Sequence, residues 1–146
     1  MSRGQLLIVG IDFSEGSAAA LQRARQLARH LDGRLELLHV SDAAEPDAWR
    51  GDAVACSWLE AGGFDAKELN VRQGVPWVEI ARRAAEAGAT LLVVGTHGRS
   101  GYQPLAIGAT ALKLTLTAPC PVTLVNARGS RPLFSTPARS LRGWSI

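Results

Sequence analysis

Residues 91–101 read Leu-Leu-Val-Val-Gly-Thr-His-Gly-Arg-Ser-Gly, and Gly108 follows at the end of the next apolar run. A continuous apolar run closed by glycine has the pattern of a buried parallel strand. The glycines beyond it leave the loop backbone bare, and a helical pattern starts near Gly108. A strand, a loop and a helix in this order set free backbone N–H groups and a helix N-terminus at the carboxyl end of a strand. An α/β sheet can hold an anion there, and phosphate is the natural candidate. Asp12 ends another apolar run (5–11, QLLIVGI) and puts a carboxylate at a second strand end. Its plainer roles are to cap the next helix or hold the loop. Gly95 and Gly98 could equally serve turns alone, although their combination with Gly108 favours binding. His97 has no matched base or nucleophile nearby, so it is expected to be a loop residue with its side chain in solvent.

The elements that carry these residues alternate in type. Residues 5–11 form a first strand; Ser14 can cap the following helix, with Glu15 in its first turn. Ala18, Leu21, Ala24, Ala28 and Leu31 recur at helical spacing, with Gly33 as the stop. Residues 35–40 (LELLHV) read as a second strand, 41–46 as loop, and 47–61 as weakly helical up to Gly62-Gly63. Residues 67–72 alternate polar and apolar, as suits a strand at an edge or with one solvated side. Gly74-Val75-Pro76 opens a third helix, with Val78, Ile80, Ala81, Ala84 and Ala85 inward and Gly88 as its end. Residues 90–94 form a fourth strand, 108–117 a helix ended by Pro119, and 122–125 a fifth strand. Strands separated by helices imply right-handed crossovers and a parallel sheet with helices on both faces.

The 146 residues make one domain, with a core of Ala, Val and Leu and only 5% aromatic content. Sixteen basic residues stand against thirteen acidic, a net charge of +3. Four of the basic residues (Arg128, Arg131, Arg139 and Arg142) lie in 127–146, which has no acid, leaving twelve against thirteen, or −1, for 1–126. The chain thus divides into a domain over 1–126 and a basic C-terminal tail over 127–146, and a nucleic-acid groove on the domain is not expected. No apolar run approaches the roughly 20 residues that span a bilayer. Met1-Ser2-Arg3-Gly4 leads straight into a strand, so no signal peptide is expected and the location is cytoplasmic. Cys56 and Cys120 share no metal-ligand spacing and are expected as reduced, part-buried thiols. Trp49, Trp58 and Trp77 read as packing residues, Arg82-Arg83 as a solvated helix face, His30 as a helix-end residue and His39 as facing a helix. Trp144, in a polar tail, suggests docking on a partner.

Gly95-x2-Gly98-x9-Gly108 resembles the nucleotide-binding signature of the universal stress protein family, in which Ser or Thr normally follows the last glycine. The flanks agree: Val9-Gly10-Ile11-Asp12-Phe13-Ser14, Leu37-Leu38-His39-Val40, Gly74-Val75-Pro76 and Ala118-Pro119-Cys120-Pro121-Val122. The resemblance spans residues 5–125. It implies one open five-stranded parallel sheet of order 3-2-1-4-5, a homodimer through the last strand (122–125), and a ligand crevice between strands one and four. It also implies ATP with magnesium as ligand. Ile11 and Asp12 would lie by the ribose, with Asp12 near the magnesium, and the backbone around His39 and Val40 would meet the adenine. Gly95, Thr96, His97, Gly98 and Arg99 would line ribose and phosphates, and the helix start at Gly108, Ala109 and Thr110 would receive the terminal phosphates.

Ala109 stands where the hydroxyl is expected, with Thr110 one place on. A lost hydrogen bond to a charged group is worth roughly 1.5–3 kcal/mol, tenfold to over a hundredfold in affinity. The expected function is an ATP-binding, stress-response regulatory or sensing dimer with at most slow hydrolysis and an unknown protein partner. A non-nucleotide interaction protein of the same fold is the alternative. A phosphotransfer or adenylating enzyme ranks below both, because G-x4-GK[ST] is absent and Lys67 and Lys113 are the only lysines.

Overall fold

The computed structural model describes residues 4–42, 44–98 and 107–127. Arg99 and the tail from 128 onward, with Trp144, lie outside the described residues. The chain runs β1 (Leu6–Gly10), α1 (Glu15–His30), β2 (Arg34–Ser41), α2 (Ala53–Gly62), β3 (Leu69–Gln73), α3 (Pro76–Ala87), β4 (Leu91–Gly95), α4 (Ala109–Thr117) and β5 (Val122–Val125). The five strands form one parallel sheet of order β3-β2-β1-β4-β5, as expected.

Because strand side chains alternate between faces, each strand feeds two cores. Val9, Leu37 and Val93 join Ala20, Leu21 and Ala24 of α1 and Ala55 and Leu59 of α2. On the other face Ile8, Leu38, Leu92 and Val94 join Ile80 and Ala84 of α3 and Ala111 and Leu114 of α4. Ser14 caps α1 by accepting from the Ser17 N–H at 3.1 Å, and Ser17 reciprocates on the Ser14 amide. Gly63 and Gly88 end α2 and α3 in the left-handed conformation.

Several details differ from the sequence reading. Ala18 is exposed and Ala20 takes its inward place, while Leu31, past the end of α1, is 43% exposed. The left-handed residue after α1 is Asp32 (φ 51°) rather than Gly33, since a short polar side chain tolerates that region. Residues 47–61 split at Asp52, whose carboxylate caps α2, and a 3-10 turn over Ala48–Gly51 precedes it. A second such turn, Ala66–Glu68, takes the first residues of the expected third strand. Ala85 and Cys56 are exposed rather than buried.

Arg83 is not simply a solvated residue. From α3 it grips Glu36 of β2 with two bonds, Nε to Oε2 at 2.9 Å and Nη2 to Oε1 at 2.6 Å. The two side chains are only 27% and 18% exposed. The guanidinium holds the Glu36 carboxyl below the usual carboxylate range. A depressed folded value stabilises the protein above the unfolded carboxylate's pKa and loses that stabilisation as pH falls through the folded value. Arg83→Met is therefore expected to cost about 1–2 kcal/mol at pH 7 and much less at pH 3. Urea unfolding at both pH values checks this; an equal loss at both would remove the ion pair as the cause.

Candidate nucleotide crevice

The strand order reverses between β1 and β4. These strands pair in parallel, Leu7 with Leu91 and Val9 with Val93, but their crossovers lead to opposite sides of the sheet. A crevice opens beyond the carboxyl ends of such a pair. Here it is a cavity of about 270 Å³.

Ten of the residues expected at a ligand line this one cavity: Ile11, Asp12, Val40, Gly95, Thr96, His97, Gly98, Gly108, Ala109 and Thr110. His39 does not line it. Its neighbours Leu38 and Val40 do, and alternation along β2 turns His39 to the opposite face, where its ring lies 4.6 Å from that of Phe13. The sequence reading missed Gly10, Ser17, Leu38, Pro76, Ile80, Val94 and Ala111. Helical spacing marked Ile80 as inward but could not say that it faces a cavity. Leu38, Val40, Pro76 and Ile80 make one part of the lining apolar, while Asp12, Ser17, Thr96 and Thr110 bring polar groups.

Two of the glycines serve the protein's own packing. A Cβ on Gly95 would sit 2.7 Å from the backbone of Gly16, and one on Gly16 would sit 2.2 Å from the carbonyl oxygen of His97. The start of α1 thus presses on the end of β4 at a distance only two glycines allow. A Cβ on Gly98 would meet Asp12 Oδ2 at 2.7 Å. Asp12 does hold its loop: Oδ1 accepts from the Ser14 N–H at 3.0 Å and from the Ser14 hydroxyl. Its Oδ2 faces Gly98, and Asp12 is the one charged side chain among the described lining residues.

His97 is not solvated. Its Nε2 is buried and its Nδ1 lies 2.8 Å from Thr96 Oγ1. The Gly108 N–H is also occupied, donating to the Thr96 carbonyl at 2.6 Å. The first intrahelical bond of α4 runs from Leu112 to Gly108, so the amides of Ala109, Thr110 and Ala111 precede it at the cavity wall. An anion would find its donors there, with the helix dipole behind them. Lys113 sits over the Trp77 ring, 5.4 Å from its centroid, and neither lysine lines the cavity. No group of three metal-ligating side chains occurs among the described residues, and no described helix is long and apolar enough to cross a membrane.

The molecule is therefore an open-sheet α/β protein with a ligand-sized crevice at its topological switch point, rimmed by helix-start amides and one carboxylate. The profile of the Universal stress protein family matches residues 5–126, and the chain belongs to that family. Universal stress protein YxiE of Bacillus subtilis is 30% identical over 143 residues, covering 82% of this chain and 97% of that protein. Universal stress protein Rv2028c of Mycobacterium tuberculosis is 32% identical over 133 residues, covering 82% of this chain but 47% of its own length. Among solved structures, universal stress protein UspA from Lactobacillus plantarum superposes with a TM-score of 0.64 at 23% identity, covering 86% and 99% of the two chains. A universal stress protein in complex with cAMP superposes at 0.58 with 24% identity, covering 85% and 98%.

Proposed function

We propose that the crevice binds an adenine nucleotide, with ATP and magnesium as the first candidate, and that the protein acts by this binding, with hydrolysis at most slow. The observation that carries this is the convergence of the α4 amides, the Asp12 carboxylate and the apolar Leu38–Val40–Ile80 surface on one cavity. The apolar surface suits a base, the amides a phosphate, and the outward Asp12 oxygen a magnesium ion carried on the phosphates. The cAMP complex of a structural neighbour supports the ligand class. Membership of a stress-protein family supports a sensing or regulatory role, in the cytoplasm.

A homodimer through β5 belongs to the same reading. Among the described residues β5 is an edge strand, paired on one side by β4, with its four residues half-buried, and α4, which packs beside it, leaves Leu112 and Leu116 exposed. Ala109, in place of a hydroxyl residue, favours a second reading, a dimeric interaction protein that binds no nucleotide.

Nucleotide-stripped protein is expected to gain thermal stability with millimolar ATP and magnesium, because a ligand that binds only the folded state adds RT ln(1 + [L]/Kd). Differential scanning calorimetry with ATP, cAMP and buffer alone is the measurement. No shift with either nucleotide in a folded dimer would sink the first reading and promote the second.

A further inference from the structure

We propose that His39 and Trp58 are positioning residues that set the Asp12 carboxylate from behind the crevice; this rests on the nucleotide-binding reading above. Neither residue lines the cavity, and neither sits in the loop that they hold. The loop between β1 and α1 passes through Phe13 at φ 62°, a left-handed conformation unfavourable for a bulky side chain. Such a residue persists only where its surroundings over-determine it.

The surroundings do so here. The Phe13 ring is 3% exposed. It lies 4.6 Å from His39, 5.9 Å from Trp49 in a stacked arrangement, and 5.7 Å from Trp58 edge-on. Two side-chain donors then fix the backbone on both sides of it. His39 Nδ1–H donates to the Ile11 carbonyl at 2.7 Å, and Trp58 Nε1–H donates to the Ser14 carbonyl at 2.9 Å. Because a carbonyl only accepts, the His39 proton is on Nδ1. The left-handed turn sends Phe13 into the core on the α1–α2 side of the sheet, while Asp12 lines the crevice. Residues of β2 and α2 thus decide where a carboxylate on the other side points.

Removing one donor while keeping a ring isolates this effect. Trp58→Phe and His39→Phe are each expected to weaken binding of ATP with magnesium by about three- to tenfold, the usual worth of one neutral hydrogen bond. A double-mutant cycle with Asp12→Asn separates positioning from general support. With Asp12→Asn in place, Trp58→Phe is expected to change the affinity less than twofold, whereas an additive loss would overturn the proposal. The ligand-free protein supplies an independent measure that survives failure of the nucleotide reading. Amide NMR shifts caused by Trp58→Phe are expected at Asp12, Ser14 and Gly98, across the loop from the substitution. Shifts confined to α2, with these three amides unmoved, would overturn the proposal even if no nucleotide binds.

Discussion

Gly16→Ala is expected to destabilise the protein by about 2 kcal/mol, against the sign that helix propensity gives. Glycine inside a helix is about 1 kcal/mol worse than alanine, so Gly16, in the first turn of α1, should gain from replacement on local grounds. The added methyl would instead lie 2.2 Å from the His97 carbonyl oxygen, a backbone atom that no rotamer change can move. Overpacking of this kind costs about 1–3 kcal/mol and occasionally more, which outweighs the propensity gain. The displaced segment, His97 with Gly98, is a wall of the crevice. The nucleotide-dependent thermal shift should therefore shrink together with the stability. Urea unfolding and calorimetry of the same variant check both, and a stabilised Gly16→Ala protein would show that α1 does not press on β4.

Leu114→Ala is expected to cost about 3–4 kcal/mol, since deleting a fully buried leucine loses transfer free energy and leaves a cavity. Leu114 is 0% exposed, and with Ala111 it is all that α4 buries. Leu112 and Leu116 on the same helix are 49% and 78% exposed and anchor little within one chain. Loosening α4 also loosens the amides of Ala109 to Ala111, so binding of a phosphate-bearing ligand should weaken beyond the loss in stability. A loss below about 1 kcal/mol in chemical denaturation would mean that α4 is held elsewhere.

The sheet was legible because periodicity is a local signal. The apolar runs of β1 and β4, the Ser14 cap and the left-handed glycines after α2 and α3 are each written within a few residues. The phase of α1 was less so: Ala18, Ala19, Ala20 and Leu21 are consecutive apolar residues, and the spacing alone cannot choose which face turns inward. Most of the crevice was reachable through the strand ends, where the fold class itself sets the ligand position. What each glycine is for was not legible. A bare backbone has the same sequence signature whether it admits a ligand or a neighbouring helix, and only the structure shows Gly16 filling the space at Gly95. Arg83 read as solvent-facing because its partner, Glu36, lies 47 residues away. The resemblance implies only the His39 backbone at the ligand; its ring, expected to face a helix, lies beside Phe13 on the α1–α2 face.

The register that seats Leu7 beside Leu91 has a consequence for how the chain is made. β1, β2 and β3 can pair as soon as the first half has been synthesised, but β1 then has one side open until β4 emerges. That open side offers the unsatisfied N–H and C=O groups of alternate residues, Leu6, Ile8 and Gly10, since those of Leu7 and Val9 face β2. Closing it requires a contact over a long chain separation, which is slow. The half-made sheet is thus more exposed to intermolecular strand pairing than the finished one, until β4 closes that edge.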